Sequence, residues 1–504
     1  MSTKRLSALL AGVLFAPATF AATCEGLSGL KLPDTTINTV EMVAAGAFVG
    51  PKLPPAQQAT FKRMPAFCRV AAEIKPTSDS DIKIEVWLPA DNWNGKFMGV
   101  GNGGWSGAIV YPALAGAVNR GYAAASTNTG HDGLDATFAL GHPEKLVDFG
   151  YRAVHEMTVK GKAFTEAFYS KGPERSYWNG CSSGGKQGLK EAQKFPLDYN
   201  GIIAGAPANY WTHLMAGDLW PAVVTSKDPA AFLTPAKLQV LHKAAMDACD
   251  SLDGVTDGLI ENPMRCHFDP GTVQCKGEET EACLTAPQVA AARKIYAGAR
   301  NPKTGKSIFP GMTPGSELVW PALAGATPFG IPVSHFQYIV FKDPKWDYLT
   351  MDFDKDVALA DKLDDGLLNA TDPNLKAFFA HGGKLLMYHG WNDQLITPLN
   401  SVNYYNSVVK AMGGAAKIKD SYRLFMAPGM NHCGGGDGPS RIDPAIVIDD
   451  WVSHGKAPDQ IVAEHVTNNK VDRSRPLCPY PQVAKYKGSG SIDDAASFSC
   501  VSPH

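Results

Sequence analysis

The sequence predicts an α/β fold built on a parallel sheet and interrupted by one long insertion. Three observations lead there. Short apolar strands alternate with amphipathic helices through the first part of the chain, the pattern of parallel βα units. The run Trp178-Asn-Gly-Cys-Ser-Ser-Gly-Gly185 sits where a strand must turn sharply into a helix. Between 210 and 374 the alternation lapses, and it resumes near 384.

In chain order, the first segment reads as a targeting signal. Lys4 and Arg5 precede an apolar run from Leu6 to Phe15 and then Pro17-Ala-Thr-Phe-Ala-Ala22, the order of a secretory signal peptide spanning 1–22. A secreted or periplasmic mature chain is expected. No later apolar run reaches the length of about 18 residues that a spanning helix needs, so no membrane role is expected. A net charge of −2 over 504 residues offers no basic footprint for nucleic acid. With 44% hydrophobic residues and no long charge run, disorder is not expected either.

Ile82, Ile84, Val86 and Leu88 alternate with polar or aromatic residues, as a half-buried strand does. The turn Asp91-Asn-Trp-Asn-Gly95 leads to a strand at 96–100, which runs into Gly101-Asn-Gly-Gly-Trp-Ser-Gly107. A strand at 122–127 and a helix at 149–169 follow, the latter with Tyr151, His155 and Val159 at helical spacing. Next come a strand at 176–179, a helix at 186–194 and a strand at 201–205. In 210–374, helices carry clear start signals: Thr234-Pro235 before Leu238, Leu241 and Ala245, and Thr285 before Val289 and Ala292. This segment is read as an inserted lid domain between two parts of a catalytic domain, 23–209 and 375–504. The second part supplies a strand at 384–389, a helix from Asn403, a strand at 422–426 and a helix begun by Asp443-Pro444.

All ten cysteines follow the signal, and an even count in an exported chain reads as disulfides. The count alone does not fix connectivity. Short spacings suggest Cys24 with Cys68, Cys249 with Cys266, Cys275 with Cys283, and Cys478 with Cys500, which leaves Cys181 and Cys433. Those two adjoin Ser182 and, in Pro428-Gly-Met-Asn-His-Cys-Gly434, His432. If bonded, their Cα atoms lie roughly 4.4–6.8 Å apart, which brings the serine within plausible reach of the histidine. A nucleophilic serine needs such a base, at about 2.6–3.2 Å.

Gly180-Cys-Ser-Ser-Gly184 matches Gly-x-Ser-x-Gly, the nucleophile elbow, with Ser182 at its centre. The triad order in α/β hydrolases is serine, acid, histidine. Asp393, in Gly390-Trp-Asn-Asp-Gln394, leaves the C-terminal end of a strand and suits the acid; a helix-capping aspartate is the rival reading. His432 suits the base, and His389 stands as a fallback base or a substrate contact. The oxyanion hole needs two N–H donors: that of Ser183, after the nucleophile, and one from the glycine loop, Gly103 or Gly104.

Asp250-Ser-Leu-Asp-Gly-Val-Thr-Asp-Gly-Leu259 sets three carboxylates among glycines. Calcium takes 6–8 oxygens, from carboxylates and carbonyls. Asp250, Asp253 and Asp257 supply side chains for such a site, and Val255 and Leu259 supply carbonyls. A solvated acidic turn is the alternative.

Cys181-Ser182, Asp393 and His432-Cys433 together resemble the tannase and feruloyl esterase family, whose mark is a Cys-Ser, Asp, His-Cys arrangement. The resemblance extends through Ser126-Thr-Asn-Thr-Gly-His131, Asp148-Phe-Gly-Tyr-Arg152, 201–208 and the loop 250–259. It implies an α/β-hydrolase core, a lid inserted after the serine and structural Ca2+ in that lid; loop 250–259 matches the family's calcium site at all five donor positions. It also implies a serine carboxylesterase of aromatic-acid esters, acting on a small feruloyl-type ester or a feruloylated polysaccharide. Galloyl esters or a terephthalate monoester are the alternatives, and a silent calcium-dependent binding protein is the competing class. Trp320, Phe329, Phe336, Tyr338 and Trp346 would either stack on a substrate ring or form lid core. Nothing in the sequence sets the oligomeric state.

Overall fold

The computed structural model describes residues 23–51 and 53–502, so the expected signal peptide lies outside the described residues. Nine strands form one sheet: β1 (Thr35–Val43), β2 (Phe67–Ile74), β3 (Ile82–Pro89), β4 (Lys96–Val100), β5 (Ala123–Thr127), β6 (Arg175–Cys181), β7 (Gly201–Gly205), β8 (Lys384–Gly390) and β9 (Tyr422–Ala427). Their order is β1-β2-β3-β5-β4-β6-β7-β8-β9. From β5 through β9 every neighbouring pair is parallel. β1, β2 and β3 pair antiparallel, and β3 meets β5 antiparallel. The expectation of a parallel sheet therefore holds for six strands and is corrected for three. The short connection from Ile74 to Ile82 accounts for the antiparallel β2–β3 pair, since a parallel crossover needs a dozen or more residues.

The parallel strands are covered on both faces. β5 and β7 are buried at every position, and successive side chains point to opposite layers. Ile202 packs in one layer with Met157, Phe164 and Leu189, from helices Ala153–Tyr169 and Ser183–Lys194. Ile203 packs in the other with Leu114, Ile448 and Trp451. The helix expected at 149–169 opens with a π-turn at Asp148–Arg152 before the regular α-helix begins.

The chain between β7 and β8 is the long insertion. Its helices include Trp211–Ser226, Pro235–Cys249 and Ala286–Ala297. Thr234 caps the second through the Lys237 N–H, and Thr285 forms a capping box with Gln288 at the third. The insertion has its own core of Leu238, Leu241, Val289, Ala292 and Trp320. After β9 the helix Pro444–His454 starts at its Asp443 cap. Two small antiparallel pairs follow, β10 (Ile461–Thr467) with β11 (Lys470–Leu477) and β12 (Val483–Tyr486) with β13 (Phe498–Val501).

Five disulfides tie these parts together: Cys24–Cys68, Cys181–Cys433, Cys249–Cys266, Cys275–Cys283 and Cys478–Cys500. No described helix is long and apolar enough to cross a membrane.

Candidate active site

Ser182 stands at the C-terminal end of β6 with φ 64° and ψ −125°, a backbone state that non-glycine residues hold only when the surroundings impose it. Its N–H donates to the Gly205 carbonyl at 2.9 Å, and its carbonyl accepts from Lys186 and Ala208. The flanking glycines are steric requirements. A Cβ on Gly180 would sit 2.5 Å from the Gly184 carbonyl carbon, and one on Gly101 would sit 2.6 Å from the Gly184 Cα.

His432 lies on the loop after β9. Asp393 Oδ2, after β8, accepts from His432 Nδ1 at 2.7 Å, and the His432 N–H donates to Gln394 Oε1 at 3.0 Å. With its proton on Nδ1, the ring keeps the Nε2 lone pair for a serine proton. The Cys181–Cys433 bridge holds the neighbouring Cα atoms 6.0 Å apart. Among the described residues no direct hydrogen bond joins Ser182 to His432; such contacts tighten when substrate arrives.

Asp393 is 1% exposed. Burial alone would raise its pKa. The charge of His432 and hydrogen bonds from His389 and His432 outweigh that and hold the carboxyl well below the usual range. Its Oδ1 accepts the N–H groups of Leu395 and Ile396. The capping role and the acid role thus use different oxygens of one side chain.

His389 is corrected. It is fully buried, with Nδ1 against Ser401 Oγ at 2.7 Å and Nε2 between Asp393 Oδ2 at 3.0 Å and the Ile396 carbonyl at 2.9 Å. Both ring nitrogens are spent inside the protein, so it is neither a substrate contact nor a spare base. It positions Asp393.

The glycine loop is anchored to the nucleophile helix. Ser183 Oγ donates to the Gly104 carbonyl at 2.9 Å, and Gln187 Oε1 accepts the Asn102 N–H at 3.0 Å. The N–H groups of Gly103, Gly104 and Ser183 meet no protein acceptor among the described residues. Gly104 and Ser183 line the same cavity as Ser182, whereas Gly103 does not.

That cavity is walled by the catalytic core and the insertion together. Trp211, Leu214, Met215 and Asp218 line it from helix Trp211–Ser226, and Phe329 and Ile331 line it as well. Of the five aromatic residues expected either to stack or to pack, only Phe329 lines it. Trp320 is 1% exposed within the insertion core, and Phe336, also buried, stacks on Trp346. Sequence reasoning missed the helix stripe, although 211, 214, 215 and 218 fall on one helical face.

In loop 250–259, Asp250 accepts the N–H groups of Asp257 and Gly258, Asp253 that of Val255, and Asp257 that of Leu259. Arg475 pairs with the Asp257 carboxylate, and Arg473 donates to the Asp257 carbonyl at 3.0 Å. Burial pushes the Asp253 carboxyl up to about 6. Among the described residues, only His155, Glu191 and Asp198 bring three ligand atoms within 4.8 Å of one another, so the three loop carboxylates are not drawn into a closed cluster. Hard oxygens around a desolvated negative charge still fit the chemistry of a calcium donor set.

The model of the family described as "Tannase and feruloyl esterase" matches residues 68–501. An uncharacterized esterase of Xanthomonas campestris is 38% identical, over 97% of this chain and 93% of that one. A probable feruloyl esterase B-1 of Aspergillus flavus is 34% identical, over 99% of this chain and all of its own. The crystal structure of feruloyl esterase B from Aspergillus oryzae superposes with a TM-score of 0.89 at 32% identity, covering 95% of this chain and 99% of that one. With its sheet, its serine elbow and its His–Asp pair alongside these matches, the chain belongs to the tannase and feruloyl esterase family.

Proposed function

We propose that this chain is an exported serine carboxylic ester hydrolase that releases feruloyl-type hydroxycinnamic acids through an acyl-enzyme. The observation that carries the reading is Asp393 bound to His432 while a disulfide joins the residues beside His432 and Ser182. Ser182 Oγ attacks the ester carbonyl and His432 Nε2 takes its proton. The N–H groups of Ser183 and Gly104 receive the oxyanion. Collapse expels the alcohol, which takes the proton back from His432; water then repeats the sequence, releasing the acid and restoring the serine.

The cavity beside Ser182, walled mostly by apolar side chains, suits one aromatic acyl group, leaving the alcohol or sugar outside. The names of the Aspergillus relatives point to the same acyl group. Residues 210–374 serve as the lid. Five disulfides support an oxidising compartment. A structural calcium held by Asp250, Asp253, Asp257 and the carbonyls of Val255 and Leu259 would neutralise loop 250–259; its chemistry there is charge compensation, not catalysis.

The test is ferulate release from methyl ferulate, followed by chromatography. Ser182→Ala should lower kcat by about 10⁴-fold or more with unchanged circular dichroism. A wild-type protein inert on methyl ferulate, or a Ser182→Ala variant that retains most activity, refutes the reading.

A further inference from the structure

We propose that Asp218 recognises a phenolic hydroxyl on the acyl ring of the substrate. The inference rests on the esterase reading and narrows it to acids bearing a ring hydroxyl.

The cavity beside Ser182 is apolar over most of its wall, which includes Trp211, Leu214 and Met215 on one helix together with Phe329 and Ile331. Asp218 is its one ionisable lining residue, one turn beyond Leu214 and Met215 on the same helix. It is 2% exposed, and its Oδ1 has no hydrogen-bond partner. Leaving a buried polar group unpaired is costly, a cost that a ligand donor would relieve. Burial, reinforced by the charge of Asp393, pushes this carboxyl well above its ordinary range. Its unpaired Oδ1 offers an acceptor, and the carboxyl in its neutral form a donor as well. A phenol offers the matching pair, an O–H and an oxygen lone pair.

The same chemistry disfavours an acid whose ring carries a carboxylate. The lining residues include no cation to receive it, and the Asp393 charge lies close enough to perturb Asp218. A terephthalate monoester is a poor fit, whereas ferulate, coumarate and caffeate share the required hydroxyl.

The experiment compares kcat/KM for methyl p-coumarate, which has the 4-hydroxyl, with methyl cinnamate, which lacks it. Wild type should prefer coumarate by about 10–100-fold, because a site built to bond a hydroxyl leaves its own polar group unpaired against the analogue. Asp218→Ala should bring the ratio towards one. Asp218→Asn, which keeps a donor and an acceptor, should retain most of it, and circular dichroism checks that both variants fold. A wild-type ratio near one, or an unchanged ratio in Asp218→Ala, overturns the inference while leaving the esterase reading standing. A wild-type protein that hydrolyses neither ester overturns both. The wild-type ratio requires no variant, so a misfolded Asp218→Ala leaves the proposal open to refutation.

Discussion

Removing the Cys181–Cys433 bridge should damage catalysis more than it damages the fold. The bridge spans 252 positions. The chain-entropy relation assigns a loop of that length a stabilisation of about 5–6 kcal/mol, a ceiling that real bridges fall short of, with about 2–4 kcal/mol typical. Other anchors share the structural role, because β6, β8 and β9 remain joined through the parallel ladder. His432 keeps Asp393 and Gln394 as partners after the bridge is cut, but its other neighbour, Cys433, sits at φ 63°. Without the sulfur link that left-handed turn is free to relax, and a shift of about 1 Å between base and nucleophile costs around a hundredfold in rate. The Cys181→Ala/Cys433→Ala variant should therefore melt several degrees lower. Its kcat/KM on methyl ferulate should fall about hundredfold when assayed well below its melting temperature and normalised to folded protein. Specific activity within twofold of wild type would refute the clamp, as would peptide mapping that finds either cysteine free or paired elsewhere.

Three further outcomes follow. His389→Ala should lose about 2–4 kcal/mol of stability, because Ser401 and Asp393 lose a buried partner. Its kcat should fall far less than that of His432→Ala, and equal losses in folded protein would restore His389 as a base. Lys186→Met should stabilise the protein: the lysine is fully buried with an unpartnered Nζ, and burial, then Lys190, pushes it down to about 7 from 10.5. Below pH 7 that costs about 5 kcal/mol, of which cation–π contact with Trp211 and Phe149 returns about 2. Between pH 7 and 10.5 the folded chain binds fewer protons than the unfolded chain, so wild-type stability climbs with pH and the advantage of methionine shrinks; a pH-independent difference in melting temperature would sink the argument. Chelator should lower the melting temperature, and Asp253→Ala/Asp257→Ala should abolish that response; metal analysis finding no calcium in the purified protein, with no chelator effect, removes the ion.

What could be read from the sequence was mostly local. The elbow needed only five residues and a flanking strand. The Thr234, Thr285 and Asp443 caps each used a side chain within three positions of its N–H partner. The short-range cysteine pairs followed from spacing, and the long-range one from elimination. The edge strands were harder. β1 and β2 belong to the sheet only through antiparallel pairing, and their apolar pattern differs from that of the buried parallel strands. The pairs β10–β11 and β12–β13 gave no strong periodic signal, since their burial patterns alternate poorly.

The residues hardest to read are those whose role depends on what another segment brings to them. His389 looked available because it ends a strand beside Asp393, but Ser401, twelve positions further on, closes its second nitrogen. Asp257 looked like one member of an acidic loop until Arg475 of β11 reached its carboxylate from 218 positions away. A calcium ion proposed there would have to compete with that arginine or displace it, which would couple it to the packing of β11. Asp218 is the clearest case. The stripe Trp211, Leu214, Met215, Asp218 is written in the sequence as one helical face, and an aspartate on an apolar stripe is a local inconsistency of the kind that marks function. What the sequence could not supply was the direction in which the stripe faces. The insertion turns it onto Ser182, and the one carboxyl that weakens the helix as a packing element becomes the group able to tell one aromatic acid from another.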